Sequence, residues 1–317
     1  MPDPIVRVEN VTKRFSGHTA VHDLSLDVPG GGIFGLLGPN GAGKTTTIRM
    51  IMNVITPDAG RIELFGGPAS RELSGRIGFL PEERGLYKKM KVLDHLVFLG
   101  EIKGLKAGDA RTRSRRWLDR LGLEAWTLHK VEDLSKGMQQ KVQFISTLLH
   151  EPELVVLDEP FSGLDPVNSQ VMKDVVVEFA REGRTVLFST HIMEQAERMC
   201  DRIVIMARGR KVVDGRLAAV KREFGGRYVA LGFAGDRGAA AAVLRDRALV
   251  THTDDYGATA EVQLAADADP NALLIALVEA GVPLARFEVV EPSLQSIFIA
   301  KVGPDAATAP AREVAYA

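Results

Sequence analysis

The sequence predicts an α/β fold with a mainly parallel sheet, followed by a smaller α+β domain. Three observations carry that reading. Short apolar runs of strand character alternate with segments of helical period. One of those runs, Leu154–Leu157, is apolar at every position, as in a strand buried on both faces of a parallel sheet. Beyond Phe224-Gly225-Gly226 the composition shifts and the order becomes β-α-β-β-α-β, which is ferredoxin-like.

The elements follow in chain order. Ile5–Val8 and Val21–Val28 read as strands, the second with apolar alternation at Leu24, Leu26 and Val28. Ile33–Leu37, interrupted by Gly35, is a short apolar run entering the glycine-rich stretch Gly38–Gly43. A helix starts near Lys44 with Ile48, Ile51 and Met52 on one face. Ile62–Phe65 and Ile77–Leu80 are further strands, and the early strands add an antiparallel β layer. Val92–Thr127 has a helical pattern enclosing the basic segment Arg111–Arg116. After Leu154–Leu157 come helix Ser169–Arg181, strand Thr185–Phe188, helix Met193–Met199 and strand Ile203–Ala207. The last part reads as strand Tyr228–Phe233, helix Arg237–Asp246, strands Leu249–Thr253 and Thr259–Leu264, helix Pro270–Ala280, strand Leu284–Val290 and a closing helix Pro292–Ala300. The expected domains are therefore 1–222 and 223–302, with an Ala- and Pro-rich tail at 303–317.

Composition narrows the function. At roughly 100–200 residues per domain, the 317 residues allow two domains. Hydrophobic residues at 45% and charged residues at 26% exclude wholesale disorder. Forty Lys and Arg against 41 Asp and Glu leave a net charge of −1, so no bulk field draws the chain onto nucleic acid, and no such partner is expected. One cysteine, Cys200, excludes an intramolecular disulfide and argues against a structural zinc site; a small buried apolar role is expected. Met-Pro-Asp-Pro lacks the basic and apolar regions of a signal peptide. Apolar runs such as Leu273–Val278 fall far below the roughly 18 residues of a membrane span. The expectation is a soluble intracellular chain that crosses no membrane.

Gly38-Pro39-Asn40-Gly41-Ala42-Gly43-Lys44-Thr45, with Thr46 behind it, fits G-x-x-x-x-G-K-[ST] between a buried strand and a helix start. Glycines let the backbone wrap a phosphate chain, and loop N–H groups with the helix N-terminus supply positive potential. Lys44 then reaches the β/γ phosphates and the Thr45 hydroxyl coordinates Mg²⁺, which makes this a nucleoside triphosphate site. Leu154-Val-Val-Leu157 ends in Asp158-Glu159. Asp158, at the strand's C-terminal end, can hold Mg²⁺, and Glu159 is placed to orient or deprotonate a water attacking the γ-phosphate.

Leu134-Ser135-Lys136-Gly137-Met138, just upstream of the acidic strand, resembles the L-S-G-G-Q signature of the ATP-binding subunits of ABC transporters. Lys136 and Met138 depart from it; Ser135 and Gly137, whose hydroxyl and close backbone a γ-phosphate requires, remain. Ser135 also suits the N-cap of a helix over Met138–Leu148, and a capped helix N-terminus aimed at phosphate satisfies both readings. The resemblance implies a P-loop NTPase ABC cassette with antiparallel β and helical subdomains beside its parallel sheet. It identifies Ser162-Gly163-Leu164-Asp165 with the loop that links two ATP sites across a dimer, and His191, in Ser189-Thr190-His191, with the switch histidine at the γ-phosphate. Phe15 matches the aromatic that stacks on adenine. Glu82, in Leu80-Pro81-Glu82-Glu83-Arg84-Gly85-Leu86-Tyr87, stands where the family places Gln; it can ligate Mg²⁺ but adds negative charge near a polyphosphate. That wording, and the ending Glu291-Pro-Ser-Leu-Gln-Ser-Ile-Phe298, resemble the branch that pairs with type-2 exporter permeases for drugs, ions, or polysaccharide and lipid-linked material.

In the family Lys44 and Ser135 serve different ATP molecules. The resemblance therefore implies a head-to-tail dimer of two copies enclosing two Mg²⁺-ATP, with a separate polytopic permease and a place on the cytoplasmic face of the membrane. Basic groups at Lys88, Lys89 and Lys91 and at Arg111, Arg113, Arg115 and Arg116 suit solvated faces; the first, beside Glu82, suits contact with the permease or lipid headgroups. The alternative is a soluble regulatory ABC ATPase acting on ribosome or DNA. Against it, the chain has one cassette, and no sustained heptads lie between Lys44 and Ser135.

Overall fold

The computed structural model describes residues 3–83, 85–224 and 228–303. Gly225, Gly226 and Arg84 of the motifs above, and the expected tail beyond Gly303, lie outside the described residues. In order the chain forms β1 (Val6–Phe15), β2 (His18–Val28), β3 (Gly32–Leu37), α1 (Lys44–Ile51), β4 (Ala59–Leu64), β5 (Gly67–Pro68), β6 (Ile77–Leu80), α2 (Val92–Ile102), α3 (Ala107–Arg120), α4 (Lys136–Leu148), β7 (Leu154–Asp158), α5 (Pro166–Arg181), β8 (Thr185–Thr190), α6 (Met193–Met199), β9 (Arg202–Ala207) and β10 (Arg210–Arg216). There follow α7 (Leu217–Phe224), β11 (Tyr228–Phe233), α8 (Ala240–Leu244), β12 (Val250–Asp255), β13 (Thr259–Leu264), α9 (Pro270–Glu279), β14 (Leu284–Val290) and α10 (Leu294–Val302).

The chain divides into two compact units between Gly215 and Arg216. The central sheet of the first has the order β10-β9-β3-β8-β7-β6. Its β9-β3-β8-β7-β6 pairs are all parallel, as the buried apolar runs predict. A second sheet, β2-β1-β4-β5, is antiparallel, and a shared core of Val6, Val8, Leu24, Leu36, Ile48, Val156 and Val204 packs it onto α1 and the central sheet. The expected first strand, Ile5–Val8, continues to Phe15, because Asn10 takes a left-handed conformation (φ 49°) and the pairing with β2 shifts register between Val8 and Val11. Such an irregularity re-aims a strand without ending it, and here it carries Phe15 to the cavity beside the Gly41–Thr46 loop. The expected helical stretch Val92–Thr127 breaks into α2 and α3 at Gly104 (φ 92°); these two helices pack with α4. Cys200 is buried, its Sγ where a Cβ at Gly35 would come within 2.6 Å.

In the second unit, β12-β13-β11-β14 form an antiparallel sheet with β-α-β-β-α-β order, the ferredoxin-like arrangement. Val229, Leu231, Val262 and Leu264 pack there against Leu273 and Leu277 of α9. Helix α7 belongs to this unit, so the boundary expected at 222/223 moves to its N-terminal side. The reason is packing: α7 contacts α10, and Lys301 Nζ lies 5.1 Å from the Phe224 ring centre.

Candidate nucleotide site

Register assembles the site. Parallel pairing sets Leu37 beside Thr190, Asp158 beside Ser189, and Leu80 beside Leu157. The segments leaving β3, β8, β7 and β6 therefore emerge together at the C-terminal edge of the sheet, where α/β folds bind ligands. They carry the phosphate loop, His191, Asp158-Glu159 and Glu82 respectively. Gly38 has φ 146°, and a Cβ there would come within 2.3 Å of the Met206 carbonyl oxygen, so the loop can turn at that point only with glycine.

Lys44 is buried and its Nζ donates to the carbonyl oxygens of Gly38 at 2.8 Å and Pro39 at 3.2 Å. It also pairs with Glu159 Oε1 at 3.4 Å. The other carboxylate oxygen of Glu159 meets His191 Nδ1 at 3.0 Å. Glu159 is left-handed (φ 47°), and its N–H donates to Ser189 Oγ at 3.0 Å. Ser189 Oγ in turn donates to Asp158 Oδ1 at 2.5 Å. Burial holds the Asp158 carboxyl above its usual range; hydrogen bonds from Ser189 and Thr45 pull it down, and Glu159 pushes it up. Burial also raises Glu82, with the negative charges of Asp158 and Glu159 adding to it.

These oxygens suit Mg²⁺. The Thr45 hydroxyl and the Asp158 and Glu82 carboxyls offer the hard oxygens that Mg²⁺ takes, and a dication would relieve the repulsion between the carboxylates. Among the described residues no group of three His, Cys, Asp or Glu side chains is arranged to hold a metal ion.

Phe15, Asn40, Gly41, Ala42, Gly43, Lys44, Thr45, Thr46, Glu82 and Glu159 line one cavity of about 370 Å³. Arg49, His18 and Glu83 also line it, none of them expected from the motifs; Arg49 NH2 pairs with Glu83 Oε1 at 3.1 Å. Ser135, Gly137 and Asp165 are not among its walls. Ser135 caps α4, its Oγ accepting from Met138 N at 3.3 Å, and Asp165 caps α5, accepting from Asn168 N at 3.0 Å. No local motif marks the role of Ser189; the β7–β8 register brings its hydroxyl to both acidic residues.

The family model described as "ABC transporter" matches residues 21–162. ABC transporter ATP-binding protein YhaQ of Bacillus subtilis (strain 168) is 42% identical over 299 residues, covering 94% of this chain and 99% of that one. The chain belongs to the ATP-binding proteins of ABC transporters. A second model, "ATP-binding protein DrrA1-3-like, C-terminal domain", matches residues 215–302 of this ABC ATP-binding protein. Daunorubicin resistance ATP-binding protein DrrA3 of Streptomyces coeruleorubidus is 34% identical over 310 residues, covering 96% of this chain and 98% of that one. The solved structure of an ATP-binding subunit of an ABC transporter superposes with a TM-score of 0.65 at 32% identity, over 69% of this chain and 93% of that one. The cassette is thus that of an ABC ATPase, and its nucleotide is ATP.

Proposed function

We propose that this ATP-binding protein hydrolyses Mg²⁺-ATP to power a separate polytopic membrane permease that exports a drug, ion, or lipid- or polysaccharide-type cargo. The observation that carries the chemistry is Glu159, whose carboxylate lies between Lys44 Nζ at 3.4 Å and His191 Nδ1 at 3.0 Å. In that position Glu159 orients a water and takes its proton as the water attacks the γ-phosphate. Lys44 and His191 then stabilise charge on the γ-phosphoryl oxygens. Thr45 and Asp158, with Glu82, hold Mg²⁺, which when bound neutralises charge on the phosphates. Phe15 stacks on the adenine and the Gly38–Thr46 loop wraps the phosphates.

The working unit is a head-to-tail dimer of two copies. What supports it is that Ser135 and Gly137 stand at the N-terminus of α4, away from the cavity around Lys44, where a second copy's nucleotide can reach them. The unit up to about 215 is the ATPase and the C-terminal unit an accessory domain. The protein sits on the cytoplasmic face of the membrane through the permease; among the described residues no helix is long and apolar enough to cross a membrane. Exposed Tyr87, edge-on to Phe98 with ring centres 5.6 Å apart, and Lys88, Lys89 and Lys91 next to it support permease contact just past Glu82. The relative named for daunorubicin resistance supports an exported cargo.

Glu159→Gln tests the chemistry. Removing the base lowers turnover by about 10²–10⁴-fold, and ATP-bound dimers accumulate on size exclusion. Unchanged hydrolysis in that variant sinks the assignment. Co-purification of a polytopic membrane protein from detergent extracts tests the partner, and recovery bound to ribosomes or DNA instead overturns it.

A further inference from the structure

The sheet of the second unit has one apolar face and one polar face. Val229, Leu231, Val262 and Leu264 face the helix side, so strand alternation turns Tyr228, Ala230, Glu261 and Gln263 to the other. Register places Tyr228 and His252 on either side of Gln263, and Ala230 and Asp254 on either side of Glu261. Asp254 and Glu261 are therefore directly opposed on adjacent strands, an arrangement that like charges disfavour. Among the described residues no Lys or Arg pairs with either carboxylate; Asp254 Oδ1 meets His252 Nε2 at 3.1 Å.

Helix α10 lies over this row. Ser296 is 2% exposed, and its Oγ stands 2.9 Å from Glu261 Oε1, 3.3 Å from Asp254 Oδ2 and 2.7 Å from Ser293 Oγ. Ser293 N donates to Glu261 Oε1 at 3.2 Å, and Ser293 Oγ accepts from Ser296 N at 3.0 Å. The single hydroxyl proton of Ser296 cannot serve both carboxylates. A further group points into the same place. Tyr228 is 2% exposed, and its hydroxyl is buried without a partner, which is costly and calls for a reason. It stands diagonal to Glu261 across β11 and β13, within the reach of an aromatic side chain, and Ala230 opposite Glu261 is only a methyl group. Burial pushes the phenol up to about 12, with the charges of Glu261 and Asp254 adding to it, so it keeps its proton and its oxygen lone pairs stay unspent.

We propose that this row binds a hard divalent cation, Ca²⁺ or Mg²⁺, through Asp254 Oδ2, Glu261 Oε1 and the hydroxyls of Tyr228 and Ser296. All four are oxygen donors, the kind such cations take. Among the described residues no third acidic or imidazole side chain joins them as a ligand, so the affinity is that of a two-carboxylate site, about 10⁻⁴–10⁻³ M. Water completes the shell, and the 18% exposure of the Asp254 side chain gives it access. His252 engages the other oxygen of Asp254 and so orients the carboxylate with Oδ2 toward the ion. The cation relieves the repulsion between the opposed carboxylates, satisfies the Tyr228 oxygen and fastens α10 to the sheet through Ser296. The set lies within the second unit and shares no residue with the ATP site.

The test is Glu261→Gln in the full-length chain without nucleotide. Glutamine keeps the shape of the side chain and an oxygen that accepts from Ser293 N, and it removes the charge. Melts are recorded without cation and with Ca²⁺ or Mg²⁺ at about 10⁻³ M. Tb³⁺, which mimics Ca²⁺, is titrated under tyrosine excitation, where Tyr228 against the ion sensitises its luminescence. The wild-type chain melts higher with one of the two cations, and that cation competes the Tb³⁺ signal away. In Glu261→Gln the cation-free melt is level or higher, because one of two opposed charges is gone, the cation-induced shift is lost, and Tb³⁺ affinity falls by about tenfold or more. Asp254→Asn gives the same loss and carries the test if Glu261→Gln does not fold. Asp158→Asn, which removes a carboxylate of the proposed Mg²⁺ site in the cassette, keeps the Tb³⁺ signal. A wild-type chain that shifts with neither cation overturns the proposal, as does a Tb³⁺ signal lost only in Asp158→Asn. A shift that persists in both Glu261→Gln and Asp254→Asn overturns it too, since the carboxylates then serve only as hydrogen-bond acceptors for α10.

Discussion

Ser189→Ala isolates the clamp behind Glu159, the proposed catalytic base. Ser189 is fully buried, and its hydroxyl bridges Glu159 N at 3.0 Å and Asp158 Oδ1 at 2.5 Å. Alanine removes both bonds and leaves a buried N–H and a buried carboxylate oxygen without that partner. Each loss costs about 1–3 kcal/mol, and the Thr45 hydroxyl and Lys44 remain near Asp158 to offset part of it. A net loss of about 2–3 kcal/mol follows, or roughly 4–12 °C in melting temperature for a unit of this size. The effect on rate is larger than that on stability. Glu159 sits at φ 47°, a conformation that costs a non-glycine residue about 1–2 kcal/mol and that the Ser189 bond helps to hold. Once released, its carboxylate drifts from Lys44 and His191, and a displacement of about 1 Å at such a site costs on the order of 10²-fold in rate. Steady-state ATPase at saturating Mg²⁺-ATP measures the rate, and calorimetry the stability. A variant that melts and turns over like the wild type refutes the clamp. One that loses stability but keeps its turnover shows that Glu159 is positioned by other contacts.

Other substitutions separate the remaining parts of the site. Glu82→Gln removes a carboxylate whose pKa is raised by burial and by Asp158 and Glu159. A raised folded-state pKa means that the ionised group destabilises the metal-free fold as pH rises through that value. The variant therefore melts above the wild type at neutral pH without metal and level with it in acid, where Glu82 is protonated; melts across pH check the sign. The same variant needs more Mg²⁺ for half-maximal turnover. Ser135→Ala loses the cap on Met138 N, worth about 1 kcal/mol, and keeps the single-chain nucleotide affinity but not the ATP-driven dimer on size exclusion. Gly38→Ala forces a Cβ to 2.3 Å from the Met206 carbonyl, costing about 2–5 kcal/mol, whereas Gly41→Ala, left-handed but in open space, costs about 1–2 kcal/mol; paired melts compare them.

What was legible in the sequence was what is local in it. The phosphate loop, Asp158-Glu159 and the strand runs around them are contiguous patterns whose chemistry follows from spacing alone. The β-α-β-β-α-β order was readable for the same reason, since each element of the second unit keeps its own period. What was missed depends on partners far away in the chain. Ser189 gains its role only when β8 lies beside β7, and Glu261 meets Asp254 only when β13 lies beside β12. The continuation of β1 to Phe15 was hidden because left-handed Asn10 breaks the two-residue alternation, and α7 because its short apolar stripe has no meaning until α10 lies against it.

The near-neutral total charge conceals the feature that governs the site. Glu82 and Glu159 line a cavity that Lys44 and Arg49 also line, Asp158 stands next to Glu159, and burial raises the Glu82 and Asp158 carboxyls above their usual range. A triphosphate entering alone adds negative charge to negative charge in a region of low dielectric, where such repulsion is strong. The loop N–H groups and Lys44 favour the phosphates, and Lys44 and Arg49 offset part of the acidic edge. Either a proton or a dication relieves it. A proton removes charge but attracts no phosphate. A dication, which Thr45, Asp158 and Glu82 would hold, would relieve the repulsion and attract the phosphates. On the proposed Mg²⁺ site, the acid at this edge favours metal-bound ATP over ATP alone.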